Sequence, residues 1–211
     1  MGHKLNGEFY QRTDTTRVAR ELLGKLVVVP DEAGRRISGM IVETEAYLGE
    51  TDRAAHSYGG RRTARNEVMY GPAGHVYVFF VYGMYYQFNV VTGPVDHPHA
   101  ILIRAVEPVE GIEIMRRRRS VPKAVTTGVR RAVMPDRNLT SGPGKLCIAL
   151  DIDRSLNGED LLGPCVWLED YREFSNDEIA VGKRIGIDYA GEDAEKPWRF
   201  WVKGNEFVSK T

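Results

Sequence analysis

The stretch that most constrains the fold is residues 41–47, whose alternation predicts a β-strand with two unlike faces. On an extended chain the side chains of Glu43, Glu45 and Tyr47 point to one side, and smaller side chains point to the other. Moving a carboxylate out of water costs free energy, so a buried one is expected to be paired with a partner or used in chemistry. The strand therefore predicts either a salt-bridged sheet position or a functional carboxylate, and the residues after it favour the second.

Length and composition indicate a globular protein. The 211 residues suit one domain with a substantial core, and 42% of them are hydrophobic. No apolar run reaches the roughly 20 residues that span a bilayer, and the first six residues lack the apolar stretch of a secretory signal. Cys147 and Cys165 are too few for a disulfide framework or a metal cluster, so we expect two buried thiols. The expected location is the cytoplasm, with association to the nucleoid in a bacterium.

Charge is balanced overall but unevenly distributed. The net charge is +0, from 29 basic and 29 acidic residues. Residues 104–154 hold 11 basic and 6 acidic side chains, whereas residues 155–211 hold 7 and 12. A locally basic segment can contact phosphates, and it can equally be neutralised by the acidic tail. The neutral whole argues against very tight non-specific binding to nucleic acid.

Short elements alternate along the chain. The predicted helices cover residues 15–23 and 108–118, and a tight turn over 141–146 opens a third helix to residue 150. The predicted strands cover residues 25–29, 37–47, 76–82, 84–91, 100–106, 166–169, 183–188 and 199–202. No internal repeat or low-complexity linker divides the chain. The predicted fold is one α+β domain over residues 1–211.

Residues 48–74 form a long polar connection directly after the Glu45 strand. They carry His56 and four arginines, among them Arg61 and Arg65. Long loops inside compact domains are uncommon and often functional. A second basic loop is expected over residues 120–140, with Lys123, Arg130, Arg131 and Arg137.

Residues 76–91 read as a β-hairpin broken at Gly83. Aromatic side chains are favoured in sheets, so Tyr77, Phe80 and Phe88 are assigned to packing. The tip is different, because hairpin tips are normally polar. It carries three large side chains, Tyr82, Met84 and Tyr85. Such a tip predicts a wedge or a contact surface.

These pieces suggest chemistry on a nucleic-acid base. Glu45 is the candidate base, since a carboxylate can activate water and stabilise a cationic sugar in the transition state. Tyr47 and His56 can form a slot around a planar ligand, although His56 taken alone is better read as a loop histidine with no special role. Enzymes that act on a base in a duplex extrude it, stack it and fill the gap. A wedge and basic loops fit that task better than sugar hydrolysis.

Two alternatives stay open at this point. Asp96, His97 and His99 make a partial metal-ligand set, although their spacing fits no familiar site. A catalytically silent nucleic-acid-binding module could use the same wedge and basic loops. The chain lacks a phosphate-binding G-x-x-x-x-G-K-[ST] loop and a serine nucleophile elbow.

A resemblance to a known family rests on several short motifs in order. They are residues 43–49 (ETEAYLG), 54–57 (AAHS), 59–61 (GGR), 82–85 (YGMY), and 141–143 (SGP) with 145–147 (KLC). Together they resemble the alkyladenine (3-methyladenine) DNA glycosylase family, from about Thr15 to Val208. The resemblance implies one α+β domain with a curved antiparallel sheet, a protruding hairpin and short helices. It also implies a monomeric, monofunctional base-excision-repair enzyme that acts on double-stranded DNA without metal or cofactor.

The resemblance also implies roles for the carboxylate and its surroundings. Glu45 matches the residue that activates the attacking water, and Arg104 helps to place that water. Asn89 lines the pocket and helps to reject unmodified guanine by crowding its 2-amino group. The implied substrates are 3-methyladenine and 7-methylguanine, with hypoxanthine and etheno-adenine as further ones, and the product is an abasic site. No lysine occupies the nucleophile position next to Glu45, so strand cleavage is not expected.

Further residues match the base pocket and the DNA contacts. Tyr47 and His56 match two walls that stack on the flipped base. The third wall falls at Phe79, where a tyrosine is expected; the change keeps stacking and removes a hydroxyl. Tyr82 matches the side chain inserted into the duplex, flanked by Met84 and Tyr85. The expected contacts to the DNA backbone are Arg61, Thr63, Arg65 and Lys145.

Overall fold

A computed structural model describes residues 2–81, 83–120 and 134–209. In those ranges the α-helices are α1 (Gly7–Gln11), α2 (Thr15–Glu21), α3 (Ile112–Ser120) and α4 (Pro143–Leu150). The strands are β1 (Leu26–Pro30), β2 (Arg36–Leu48), β3 (Val76–Val81), β4 (Tyr85–Thr92), β5 (His99–Glu110), β6 (Trp167–Glu169), β7 (Ile179–Gly182) and β8 (Arg199–Val202). Short 3-10 helices occupy Gly49–Thr51, Tyr58–Gly60, Glu67–Tyr70, Asp136–Asn138, Arg154–Leu156, Asn176–Glu178 and Asp188–Glu195.

The eight strands form one open antiparallel sheet in the described part of the chain. Six of them follow the order β3-β4-β5-β2-β1-β6, while β8 pairs with both β2 and β7. The 13-residue strand β2 is the centre of the sheet, because β1, β5 and β8 all pair with it. The strand predicted over residues 37–47 is therefore confirmed, and both faces of β2 are buried. The predicted α+β fold class is confirmed.

Helix α2 covers one face of β2. Asp14 caps the helix, since its side chain accepts from the Arg17 N–H at 3.0 Å. Val18 and Ala19 are buried against the sheet. The Thr44 hydroxyl donates to the Ala19 carbonyl at 2.8 Å, which ties the helix to the strand. This cover leaves the other face of β2, with its two carboxylates, for the site.

Helix α4 supports the β3–β4 hairpin. It begins where the tight turn predicts, with Pro143 in the first turn. Gly144 allows a close approach, because a Cβ there would lie 2.8 Å from the Tyr85 ring. A side chain at this position would push the hairpin away from the helix. Gly144 therefore allows the first residue of β4, Tyr85, to pack closely on α4.

The predicted helix over residues 108–118 begins too early. Residues 108–110 extend β5, where Pro108 and Glu110 pair with Gly39 and Ser38 of β2. The Glu110 carboxylate accepts from the Ser38 hydroxyl at 2.6 Å, which holds the strand end. Gly111, with a positive φ of 75°, then turns the chain into α3. Pairing with a strand about 70 residues earlier thus overrides the local helix pattern.

The predicted strand over residues 183–188 is wrong. The strand in this region is β7, which ends at Gly182, and residues 183–187 are irregular. Their polar groups are used elsewhere: the Arg184 side chain donates to Asp52, and the Ile185 N–H donates to Glu45. These bonds replace a sheet ladder and bring the segment to the carboxylates of β2.

Two expectations about packing also need correction. Phe88 and Tyr77 are buried as expected, but 48% of the Phe80 surface is exposed. Alternation along β3 sends Phe80 to the outer surface of the hairpin, where its ring lies 5.0 Å from that of Tyr86. Cys147 is a buried thiol as expected, whereas Cys165 is exposed. Most of the second basic loop, including Lys123, Arg130 and Arg131, lies outside the described residues.

Candidate active site

The two carboxylates of β2 are fully buried and share one arginine. Glu43 and Glu45 each have 0% of their surface exposed. Arg104 of the neighbouring strand β5 donates its Nε to Glu43 at 3.0 Å and places its Nη1 3.3 Å from Glu45. Period-2 alternation puts both acids on the same side of β2, facing the arginine. The sequence prediction of two acids on one face is thus met, and both are paired.

Glu43 belongs to a structural cluster. Its carboxylate accepts from the Ser209 N–H at 2.8 Å and from the Ser209 hydroxyl at 2.9 Å, in addition to Arg104. Arg199 of β8 lies 3.7 Å away. With these donors around it, Glu43 anchors the C-terminal segment and orients Arg104.

Glu45 has a different set of partners. Its Oε2 accepts from the Tyr47 hydroxyl at 2.9 Å, and its Oε1 accepts from the Ile185 N–H at 2.7 Å. Burial raises the pKa of Glu45 above its ordinary value, although the Arg104 charge and these two hydrogen bonds oppose the rise. A buried carboxylate with a raised pKa beside a cavity is typical of a catalytic base.

A cavity lies directly in front of Glu45. It encloses about 150 Å³, a size at which an engineered protein cavity takes up a benzene ring. Tyr47, Arg104 and Ile185 line it, and all three also contact the Glu45 carboxylate. Glu45 itself is not part of the lining, so it sits one layer behind the wall. Tyr47, Arg104 and Ile185 therefore separate the carboxylate from the cavity.

Aromatic rings form one side of the cavity. The His56 and Phe79 rings meet edge to face with centroids 4.5 Å apart, and Tyr77 lies 5.2 Å from Phe79. A 2.8 Å hydrogen bond joins His56 Nδ1 and the Tyr77 hydroxyl. The structure thus brings Tyr47, His56 and Phe79 to one cavity, as the resemblance implies. It adds Tyr77, which the sequence analysis assigned to packing.

Asn89, which the resemblance predicts in the base pocket, lies on β4. Asn89 is 4% exposed and lines the cavity. Its Nδ2 donates to the carbonyls of Tyr77 at 3.0 Å and Gln87 at 3.3 Å, which fixes the side chain across the hairpin. The amide is therefore held rigidly at the cavity surface, where it can crowd a bound ring.

His56 is kept neutral by its surroundings. Burial, together with the charges of Arg65 and Arg61, lowers the pKa of His56 to about 4. At neutral pH the ring is therefore an uncharged aromatic wall. It cannot serve as a ready proton donor to a leaving base.

This pKa gives a stability prediction with a fixed sign. The unfolded state binds a proton near pH 6.5 and the folded state only near pH 4, so stability falls as the pH drops through that window. In His56→Gln the melting temperature should fall less between pH 7 and pH 4.5 than in the wild type. His97→Gln, at an exposed histidine, is the matched control and should follow the wild type. Equal slopes for all three proteins would contradict the assignment.

The predicted DNA-backbone residues of the first loop lie beside the cavity. Arg61, Thr63 and Arg65 line a neighbouring depression that shares His56 with it. The guanidinium of Arg65 lies 5.3 Å from the Phe79 ring centroid. The three residues predicted to contact the DNA backbone therefore lie next to the cavity.

Asn66 holds this loop and was missed in the sequence analysis. It is 1% exposed, and its Oδ1 accepts from the Thr63 N–H and hydroxyl at 2.7 and 2.9 Å. Its Nδ2 donates to the carbonyls of His56 and Arg61 at 3.1 and 2.8 Å. Asparagine in a loop that also holds glycines and threonine is a turn-forming signal, and it could have marked the position.

The hairpin tip is only partly described. Tyr82, the predicted inserting residue, lies outside the described residues. Met84 is 52% exposed, as a contact surface requires. Tyr85 instead packs on Gly144 of α4 and is half-buried. Lys145 lies in the first turn of the same helix, with its Nζ 3.3 Å from the Ser141 hydroxyl.

The proposed metal ligands do not converge. His99 Nδ1 hydrogen-bonds the Thr15 hydroxyl at 2.9 Å, and Asp96 accepts from Arg62 at 2.9 Å. Across residues 2–81, 83–120 and 134–209, no group of three or more His, Cys, Asp or Glu is arranged to hold a metal ion. The same ranges contain no helix with the length and apolar character needed to cross a membrane.

A cavity walled by aromatic rings and backed by a buried carboxylate is typical of an enzyme that holds a planar ring during bond cleavage. Comparison with known proteins agrees with this class. The model of the methylpurine-DNA glycosylase (MPG) family matches residues 8–206. The chain belongs to the methylpurine-DNA glycosylase family, and it is a DNA glycosylase, a hydrolase.

Bacterial relatives share about half of the sequence. The relative from Clostridium acetobutylicum is 51% identical over 206 residues, covering 98% of this chain and 97% of its own. One from Desulfitobacterium hafniense is 52% identical over 206 residues, covering 98% of both chains. One from Bacillus cereus is 50% identical over 207 residues, covering 96% and 97%. Each is named "Putative 3-methyladenine DNA glycosylase". The family resemblance inferred from the motifs is confirmed.

Proposed function

We propose that the protein releases alkylated purines, chiefly 3-methyladenine and 7-methylguanine, from duplex DNA by water attack at the sugar. The observation that carries this proposal is the placement of Glu45 directly behind the aromatic cavity. The three residues that separate it from the cavity, Tyr47, Arg104 and Ile185, each contact its carboxylate. A base flipped into the cavity would bring its glycosidic bond close to this carboxylate.

The aromatic walls suit a cationic ring. Methylated adenine and guanine carry positive charge, which interacts favourably with aromatic faces. Tyr47, His56 and Phe79 supply those faces, and Asn89 crowds the ring edge. Because His56 is neutral, the site offers no evident acid, so lesions that already carry charge are the favoured substrates. Hypoxanthine and etheno-adenine, which need a proton to leave, are the less favoured ones.

The chemical step balances with water alone. The oxygen of a water molecule attacks C1′ of the sugar while the N-glycosidic bond breaks. The electron pair of the broken bond leaves with the purine. Glu45 accepts the proton of that water and opposes the positive charge that develops on the sugar. Arg104, between Glu43 and Glu45, orients the carboxylate. The products are a free purine and an abasic site.

Water is the proposed nucleophile because no described lysine reaches the site. Lys183, the closest lysine in sequence to Ile185, pairs with Glu195 instead. An amine nucleophile would form a covalent sugar adduct and permit strand cleavage. We therefore assign a monofunctional glycosylase to this site.

The test is base release from a duplex with a single 7-methylguanine. Under single-turnover conditions, alkali after incubation should cleave the damaged strand at the lesion, and an undamaged duplex should stay intact. Addition of a chelator should leave the rate unchanged. Intact damaged strands would favour a silent nucleic-acid-binding module, and loss of activity in chelator would revive a metal-dependent hydrolase.

The hairpin tip supplies a prediction for binding. Met84→Ala should weaken binding to a lesion-containing duplex several-fold, because an exposed apolar side chain at the tip can fill space in a stacked duplex. Binding to the same strand without its complement should change little. Val95→Ala removes a side chain of similar exposure away from the hairpin and should affect neither. Equal losses for duplex and single strand would contradict a wedge. The measurement is fluorescence anisotropy with both DNAs.

A further inference from the structure

A fully buried ion pair lies behind the cavity. Asp52 and Arg184 both have side chains with 0% exposure. The Arg184 guanidinium donates to both carboxylate oxygens, with Nη1 at 2.5 Å from Oδ2 and Nη2 at 2.8 Å from Oδ1. The carboxylate also accepts from the N–H groups of Leu48 and Ala54 at 3.1 and 3.0 Å. A buried pair of this kind is weak evidence for stability, so its position calls for another reason.

Arg184 joins the segments that make the site. Its guanidinium donates to the Ala46 carbonyl of β2 at 3.0 Å and to the Asp193 carbonyl at 3.2 Å. Its charge also lies 4.7 Å from the centroid of the Tyr47 ring. One side chain thus connects β2, the loop that leads to His56, and the segment after β7. These three parts of the chain all contribute walls to the cavity.

The residue after Arg184 contacts the proposed base. The Ile185 N–H donates to Glu45 Oε1 at 2.7 Å, and residues 185–187 line the cavity. The segment 183–187 has no sheet ladder to hold it. Lys183 pairs with Glu195 and Ile187 packs against Ala54, while the arginine fork ties the segment to Asp52 and to the Ala46 carbonyl of β2.

We propose that the Asp52–Arg184 pair is a positioning device for base release, holding residues 184–187 so that the Ile185 N–H stays on Glu45. The inference rests on the proposed role of Glu45. Neither side chain of the pair touches the reacting atoms. Loss of the fork should release the segment, weaken the Ile185 hydrogen bond and leave Glu45 misplaced.

The position of the acidic limb of the pH–rate profile depends on the hydrogen bond from the Ile185 N–H to Glu45. Five charged or titratable groups face the Glu45 carboxylate from β2, β5, β8 and the segment after β7: Glu43, Tyr47, Arg104, Arg199 and Arg184. The Ile185 N–H lowers the pKa of Glu45, so its loss should raise that pKa. A base must be ionised to act, and the acidic limb should therefore move to higher pH.

Two variants test the pair. Asp52→Asn combined with Arg184→Met removes both buried charges, so neither is left unpaired. Arg184→Lys keeps a charge opposite Asp52 and loses the planar fork. In both, single-turnover release should fall about 10- to 100-fold, a loss typical of a misplaced catalytic group, with duplex binding unchanged. Thermal unfolding checks that each variant folds.

Controls separate this inference from the proposed function. Arg17→Met, in an exposed pair with Glu21 on α2, should keep the wild-type rate and pH profile. Glu45→Gln in the same assay reports whether Glu45 is the base at all. If Glu45→Gln is inactive but either folded pair variant releases the base at the wild-type rate with an unshifted acidic limb, the positioning role is overturned. If Glu45→Gln releases the base at the wild-type rate, the proposed function itself is contradicted.

Discussion

Glu45→Gln is expected to bind a damaged duplex as the wild type does and to release its base about 10²- to 10⁴-fold more slowly. That range is the usual contribution of a positioned general base. Glutamine keeps the shape and the hydrogen-bond acceptor for the Ile185 N–H, but it cannot accept the proton of water. Arg104 keeps its bond to Glu43 in the variant, so no buried charge is left without a partner.

The same substitution should not lower stability. Because the pKa of Glu45 is raised in the folded state, its ionised form costs stability once the pH exceeds the ordinary glutamate pKa. Glu45→Gln removes that cost, so its melting temperature at neutral pH should equal or exceed that of the wild type. Single-turnover release, duplex binding and thermal unfolding check the three expectations together. Unchanged release in a folded variant would refute Glu45 as the base.

Glu43→Ala, unlike Glu45→Gln, is expected to lower the stability of the fold. Removal of one partner from a buried ion pair costs about 3–5 kcal/mol, because the remaining charge stays buried. Here Arg104 and Arg199 would lose their shared carboxylate, and Ser209 would lose its acceptor. For a chain of this length the melting temperature should fall by roughly 6–20 °C.

Thermal unfolding of Glu43→Ala is best compared with Glu113→Ala. Glu113 also pairs with an arginine, but 83% of its side chain is exposed, so its loss should cost about 1 kcal/mol or less. Equal melting temperatures for the two variants would contradict a structural role for Glu43. On the proposed function, Glu43 stabilises the fold and Glu45 performs the chemistry.

Local sequence patterns were sufficient to predict the central strand and the start of α4. Period-2 alternation is visible within a few residues, so β2 and the shared face of Glu43 and Glu45 were predictable. The turn at residues 141–146 likewise marks the start of α4. Tyr47, His56 and Phe79 were assigned from the resemblance to the family, and the structure brings them to one cavity.

Partners distant in sequence were not predictable in this way. Arg184 meets Asp52 across 132 residues, and nothing in either local sequence marks the other. The same is true of the Ile185 N–H on Glu45, 140 residues away. Tyr77 was assigned to packing because aromatic residues in strands usually pack, and its hydrogen bond to His56 joins residues 21 positions apart. Such contacts follow from the topology of the sheet, which a single sequence leaves undetermined.

The most direct test of the account is a crystal structure of Glu45→Gln bound to a duplex with one 7-methylguanine. We expect the damaged purine between Tyr47, His56 and Phe79. The side chain at position 45 should lie within hydrogen-bond reach, about 2.6–3.2 Å, of a water beside C1′ of the flipped nucleotide. A purine bound outside this cavity, or a residue 45 still screened from the sugar by Tyr47 and Arg104, would contradict the central claim.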